Sequence, residues 1–159
     1  MSLNNNNWFT EIYPDDGCAL SLELDDKLHQ EQTPWQKLEV YQTTHFGRLM
    51  LLDDCVMLTS RDNFIYHEMM THPVLCTHPA PEKVLIIGGG DCGCLREVLK
   101  HQSVRHAHQV DLDEMVTRAA EEFFPELCVS NNDPRAELSY TDGVAFIEQA
   151  EPSSYDIII

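Results

Sequence analysis

Val84-Leu85-Ile86-Ile87-Gly88-Gly89-Gly90-Asp91 is an apolar run that breaks into three glycines and an acid. Four consecutive apolar residues bounded by glycine read as a buried strand, and the glycines let the backbone turn sharply and come close to a bound group. The next segment, Leu95-Arg96-Glu97-Val98-Leu99-Lys100, reads as a helix, so strand, glycine turn and helix follow in βα order. Gly88, Gly90 and Gly93 also meet the spacing G-x-G-x-x-G. That pattern is weak alone and gains weight from the strand before it and the helix after it.

Working outward, Asp111 stands 21 residues beyond Gly90, at the end of the short run Ala107-His108-Gln109-Val110. This is where a nucleotide-binding α/β unit keeps an acid for ribose hydroxyls. Asp91 is the unusual element. A pyrophosphate at a helix N-terminus would be repelled by a carboxylate there, whereas a cationic group would be held by it. The pair therefore points to a nucleoside bearing positive charge rather than to a dinucleotide.

From position 83 onward strands are expected at 83–87, 107–112, 136–140 and 155–159, with helices at 95–101, 115–124 and 144–149. Such alternation means a parallel sheet with helices on its faces. Residues before about 62 read instead as strands and turns, through Trp8-Phe9-Thr10-Glu11 and the alternation Trp35-Gln36-Lys37-Leu38-Glu39-Val40-Tyr41, with Asp53-Asp54 turning a hairpin. A helix over 64–76, capped by Asp62, then leads to His78-Pro79-Ala80-Pro81, which reads as a rigid connection. The expected fold class is α/β: a small antiparallel β domain over 1–62, a helix and linker over 63–82, and a Rossmann-like parallel sheet over 83–159, incomplete at its C-terminus.

Ten Lys and Arg against 27 Asp and Glu give a formal charge of −17, which argues against nucleic acid or an anionic membrane as partner and suits cationic substrates. No apolar run reaches the length of a membrane span, and the polar start through Asn7, in part an expression remnant on this reading, has no signal-peptide layout. The six cysteines show no disulfide-framework spacing, so reduced thiols in the cytoplasm are the simpler reading. His67-Glu68-Met69-Met70-Thr71-His72 has its histidines five apart, off a shared helix face, and Cys92-Gly93-Cys94 lacks the spacer and second pair of a zinc motif, so no metal site is expected.

Several motifs in register resemble the polyamine aminopropyltransferases, and within them the spermidine synthases: Phe46-Gly47-Arg48-Leu49-Met50-Leu51-Leu52-Asp53, the run Arg61-Asp62-Asn63-Phe64-Ile65-Tyr66-His67-Glu68, Gly88-Gly89-Gly90-Asp91, Val110-Asp111-Leu112-Asp113, Asp133-Pro134-Arg135 and Asp142-Gly143. The resemblance implies transfer of an aminopropyl group from decarboxylated S-adenosylmethionine, as co-substrate, to putrescine, giving spermidine and methylthioadenosine with no separate cofactor. It implies that Gln36 touches the nucleoside, that Tyr66 and His67 line the polyamine or aminopropyl pocket, and that Asp91 binds the ammonium of the arm. Asp111 takes the ribose hydroxyls, Asp142 with Gly143 meets the adenine amino group, and Gly88 and Gly90 shape the nucleoside loop. The family's proton-accepting aspartate falls beyond Ile159, so the 159-residue chain is expected to turn over little by itself.

Each role has a structural alternative: a strand glutamine for Gln36, a packed histidine for His67, helix or loop caps for Asp91 and Asp142. The sequence departs from the family at Met57, where glutamine is common, at Ser60 and Asn63, which replace acids, and at Cys92, which replaces a glycine beside the expected ligand. Two other functions fit the residues, an S-adenosylmethionine-dependent methyltransferase and a non-catalytic nucleoside-binding or oligomerisation module. An unpaired sheet edge would favour association, so a homodimer or higher homo-oligomer is expected.

Overall fold

A computed structural model of the chain describes residues 7–159, which leaves the start of the asparagine run outside the described residues. The chain divides into two compact units, Met1–Asn63 and Phe64–Ile159.

In the first unit β1 (Trp8–Tyr13), β2 (Cys18–Gln32), β3 (Lys37–Thr43), β4 (Arg48–Leu52) and β5 (Cys55–Thr59) form an antiparallel sheet in that order. Turn chemistry sets the register. Asp53 and Asp54 both take positive φ, 49° and 62°, the two-residue turn whose twist matches the strands it joins. Between β2 and β3 the Thr33 hydroxyl accepts from the backbone N–H groups of Trp35 and Gln36, both at 3.1 Å. Trp35 and Gln36 therefore lie in a turn, and the strand expected from position 35 begins at Lys37.

Period-2 alternation puts Lys37, Glu39 and Tyr41 on one face of β3 and Leu38 and Val40 on the other. Glu39 is buried, and it is paired from three directions. Lys27 Nζ and Lys37 Nζ each approach its carboxylate to 2.6 Å, and the Tyr41 hydroxyl donates to it at 2.9 Å. Burial alone would raise this carboxyl; the three donors outweigh it and hold the group down at about 2.

The second unit is a four-stranded parallel sheet in the order β8-β7-β6-β9. Its strands are β6 (Lys83–Ile87), β7 (His106–Asp111), β8 (Ala136–Tyr140) and the short β9 (Ile157–Ile158). α1 (Asn63–Thr77) leads in, and α2 (Gly93–Leu99), α3 (Glu114–Phe123) and α4 (Gly143–Gln149) follow β6, β7 and β8. α2 starts two residues before the expected helix and stops two earlier. The Asp62 carboxylate, expected to cap α1, accepts from the Thr59 hydroxyl at 2.5 Å, a contact back toward β5.

Val84, Ile86, Leu95, Val98, Val104 and Ala107 form a core between sheet and α2, almost wholly removed from water. Arg135 ties its lower end. Its guanidinium donates to the carbonyls of Leu99 at 2.8 Å and Val104 at 3.1 Å and pairs with Asp133 at 2.8 Å, so Asp133-Pro134-Arg135 here closes the end of α2 onto the start of β8. Because the first strand, β6, is central, with β7 on one side and β9 on the other, the strand order reverses at β6. Open sheets of this kind bind ligands at such a switch point, outside the carboxyl ends of the strands.

Candidate functional site

The loop leaving β6 stands at that switch point. Gly88 and Gly89 take φ of 83° and 75°, which side-chain-bearing residues adopt only at a cost, so the tight exit from the strand requires glycine. Gly90 is needed for space: a Cβ there would come 2.9 Å from Asp111 Oδ2 and 3.0 Å from the Val116 side chain. Gly93 has still less room, since a Cβ would run into the imidazole ring of His67.

Asp91 follows the glycines and fills two roles. Its Oδ1 accepts from the backbone N–H of Gly93 at 2.6 Å, which secures the first turn of α2, and lies 3.1 Å from His67 Nε2. Its side chain keeps 17% of its surface exposed while His67 keeps 1%. His67 therefore stands behind Asp91, enclosed by α1 and Gly93, and the neighbouring Tyr66 ring meets it edge-on with centroids 5.5 Å apart. Tyr66 is the exposed member, and burial, with the charges of Cys94 and Asp91, raises its phenol. Asp91 and Asp111 are also close enough to interact. Asp111 ends β7, its carboxyl is raised by burial, and the N–H groups of Asp113 and Gly90 oppose that rise.

Asp142 caps α4 through its Oδ1, which accepts from Val144 N at 2.8 Å and Ala145 N at 3.0 Å. Gly143 lets α4 approach β6, for a Cβ there would lie 2.8 Å from Ile87 Cγ2. Asp142→Ala is expected to lower stability by about 1 kcal/mol, whereas Asp142→Ser keeps a cap and stays near wild type, as thermal unfolding would report.

Tyr66, His67, Gly88, Gly90, Asp91, Asp111, Asp142 and Gly143 thus all belong to the second unit, along α1 or at the carboxyl ends of its strands. Gln36 belongs to the first unit, in the β2–β3 turn rather than on a strand. Sequence reasoning did not single out Ile87, Leu112 and Tyr140. All three are apolar or aromatic, follow or end strands β6, β7 and β8, and remain 36%, 42% and 38% exposed. Apolar or aromatic residues standing where strands were expected to end were the available signal. A surface depression lined by Glu82, Val104, Arg105 and Arg135 lies at the opposite, amino ends of the strands and takes no part in this arrangement.

A family described as the spermine/spermidine synthase domain matches residues 63–159, and one described as the spermidine synthase tetramerisation domain matches residues 7–60. The chain belongs to the spermine/spermidine synthase family. It is 62% identical over 152 residues to the polyamine aminopropyltransferase of Methylococcus capsulatus, covering 96% of this chain and 53% of that protein. To the enzyme of the same name from Thioalkalivibrio sulfidiphilus it is 63% identical over 159 residues, covering 100% of this chain and 55% of that protein. Among solved structures, spermidine synthase from Thermotoga maritima superposes with a TM-score of 0.91 at 35% identity, over 98% of this chain and 54% of the other. The chain thus spans about half the length of the relatives it matches.

Three of the four departures from the family motifs, at Asn63, Ser60 and Cys92, have local counterparts in the structure of this spermine/spermidine synthase relative. Asn63 donates through Nδ2 to the carbonyls of Thr59 at 2.9 Å and Ser60 at 3.1 Å, which an ionised acid could not do. Ser60 Oγ accepts from Arg48 N at 3.2 Å. Cys92 takes φ of 67° and is fully buried, its thiol 3.5 Å from Gly90 O and 3.6 Å from Gln109 Nε2. The added side chain therefore points under the loop. Hydrogen bonding with Cys128 lowers the Cys92 thiol and raises that of Cys128. Met57 is 43% exposed on β5, and nothing in the structure explains its replacing glutamine.

Proposed function

We propose that this chain supplies the nucleoside-binding part of an aminopropyl transfer from decarboxylated S-adenosylmethionine to putrescine, giving spermidine and methylthioadenosine. The observation that carries this reading is Asp91, a partly exposed carboxylate at the start of α2 and at the switch point, backed by buried His67. There it meets a cationic arm, while Asp111 at the end of β7 meets the ribose hydroxyls. Asp142 faces the adenine amino group, with Gly88, Gly90 and Gly143 keeping the backbone close and Ile87, Leu112 and Tyr140 offering apolar surface to the base. A structural relative at 35% identity was solved with the transition-state analogue AdoDATO, which supports a nucleoside ligand.

In the reaction the amine lone pair of putrescine forms a bond to the methylene beside the sulfonium, the C–S bond breaks, and sulfur leaves as a neutral thioether. A base takes the amine proton. Two cations must be held in line against their repulsion, which is the work of carboxylates such as Asp91. His67 is a positioning residue, since its burial leaves Asp91 as the group that reaches the ligand. Gln36, which the family resemblance also assigns to the nucleoside, lies in the first unit. The scheme uses no cofactor, the free cysteines suit a reducing cytoplasm, and the partners are polyamine and sulfonium nucleoside rather than nucleic acid or membrane. Among the described residues no helix is long and apolar enough to cross a membrane. The match of residues 7–60 to a tetramerisation domain supports self-association through the first unit, beyond the homodimer.

Calorimetry with single variants tests the assignment. Asp111→Asn is expected to weaken methylthioadenosine binding about tenfold, the loss of a charged hydrogen bond. Asp91→Asn should leave methylthioadenosine, which has no ammonium, nearly unaffected and weaken the decarboxylated substrate about tenfold. Equal loss for both ligands in Asp91→Asn would contradict its role as the ammonium partner.

A further inference from the structure

Outside the nucleoside loop, α1 and α2 bring together a second group of titratable side chains. Glu68 and His72 are four residues apart on α1 and so share a face. Glu97 comes from α2, and one ligand atom from each of these three residues lies within 4.8 Å of the other two. His101, four residues beyond Glu97 and just past the helix, places its Nε2 2.8 Å from His72 Nδ1.

The distances suit a metal. His72 Nε2 and Glu97 Oε2 are 3.2 Å apart, while two donors about 2.0–2.2 Å from a tetrahedral zinc are separated by about 3.3 Å. The other ring nitrogen of His72 is already engaged by His101, the kind of outer contact that fixes the tautomer and orientation of a metal-binding histidine. Glu97 has no exposed side-chain surface, so its carboxylate depends on charged or titratable neighbours.

Its present partners are cations: Arg96 Nε at 2.9 Å from Oε1 and Lys100 Nζ at 2.5 Å from Oε2. Lys100 is 54% exposed on a flexible stem, so it can turn to solvent when an ion takes Oε2 and leave Arg96 on Oε1. Glu68 is exposed and His72 half-buried, which gives an ion a way in.

We propose that Glu68, His72 and Glu97 form a zinc site joining α1 to α2, with His101 orienting His72. Two carboxylates and a neutral imidazole balance the dication and leave a fourth position for water. The site would brace the helix that carries His67 against the helix that begins at Gly93, the two residues that position Asp91. The sequence hides it because two ligands come from α1 and the third from α2: the histidine spacing that argues against zinc concerns His67 and His72, and His67 turns to Asp91 instead.

Chelator-stripped chain titrated with zinc against a chromophoric chelator is expected to take up one equivalent and to unfold at a higher temperature when loaded. Cobalt in place of zinc should give a visible band without thiolate-to-metal charge transfer, which separates this site from the cysteines. Glu68→Gln, an exposed change that spares the fold, and His72→Ala should each weaken uptake at least about tenfold, and His101→Ala about 10–100-fold. Absence of uptake, a thiolate band, or uptake unchanged in both Glu68→Gln and His72→Ala would overturn the proposal.

Discussion

Gly93→Ala is expected to destabilise the second unit by about 3 kcal/mol, seen as a fall in its denaturant midpoint. The sign is opposite to the usual one. Gly93 opens α2, and alanine in place of a helical glycine ordinarily adds up to about 1 kcal/mol. Here the new methyl would meet the His67 ring, which is 1% exposed and held between α1 and Asp91. The ring has no solvent-facing space to yield into, so either α1 shifts or the imidazole is expelled, and both break the His67–Asp91 contact. A double-mutant cycle isolates the cause: in a His67→Ala background Gly93→Ala should cost nothing or stabilise. A wild-type midpoint for Gly93→Ala alone would show that the helix and ring are not so tightly opposed.

Acid should weaken the first unit through Glu39. This carboxyl falls from an ordinary 4.5 to about 2, so the folded state binds its proton less readily than the unfolded one. Its stabilising contribution is complete above about pH 4.5 and is lost as pH falls toward and through about 2. A shift of this size is worth on the order of 2–3 kcal/mol once the solvent-facing ends of Lys27 and Lys37 are discounted. Glu39→Gln should remove that part of the acid sensitivity. Glu39→Ala should cost about 3 kcal/mol at neutral pH, because it leaves two ammonium groups and a tyrosine hydroxyl without their shared acceptor. A pH profile of unfolding identical for wild type and Glu39→Gln between about 5 and 2 would contradict this.

The parallel sheet was legible because strands and helices alternate and because β6 is an apolar run ended by glycine and β7 ends in an acid, and 83–87 and 136–140 coincide with β6 and β8. Glycine hid the true start of α2, since a helical Gly93 looks like loop until His67 is seen beside it. Gln36 was misplaced for a different reason. The alternation that marks β3 continues one pair too far upstream, and only the Thr33 hydroxyl, bonded to the next residues' N–H groups, turns the chain there. The 15-residue β2 alternates through Leu20-Ser21-Leu22-Glu23-Leu24 but is mostly polar on both faces from Asp25 onward, so its full length had no periodic signal.

For the site, the acids at the ends of β6 and β7 could be read because strand ends are where an α/β sheet meets its ligand. A packed His67 and a capping Asp142 were readable as alternatives, but that His67 is enclosed behind Asp91 and that Asp142 does cap α4 depends on side-chain direction, which spacing does not decide. The grouping of Glu68, His72, Glu97 and His101 is a tertiary fact for the same reason.

The most direct measurement compares decarboxylated S-adenosylmethionine with S-adenosylmethionine itself by calorimetry on the chain. An Asp91 that receives an ammonium arm disfavours the extra carboxylate of the undecarboxylated compound, so the decarboxylated ligand should bind at least about tenfold, or 1.4 kcal/mol, more tightly. Equal binding, or preference for S-adenosylmethionine, would contradict the aminopropyl reading and favour methyl transfer.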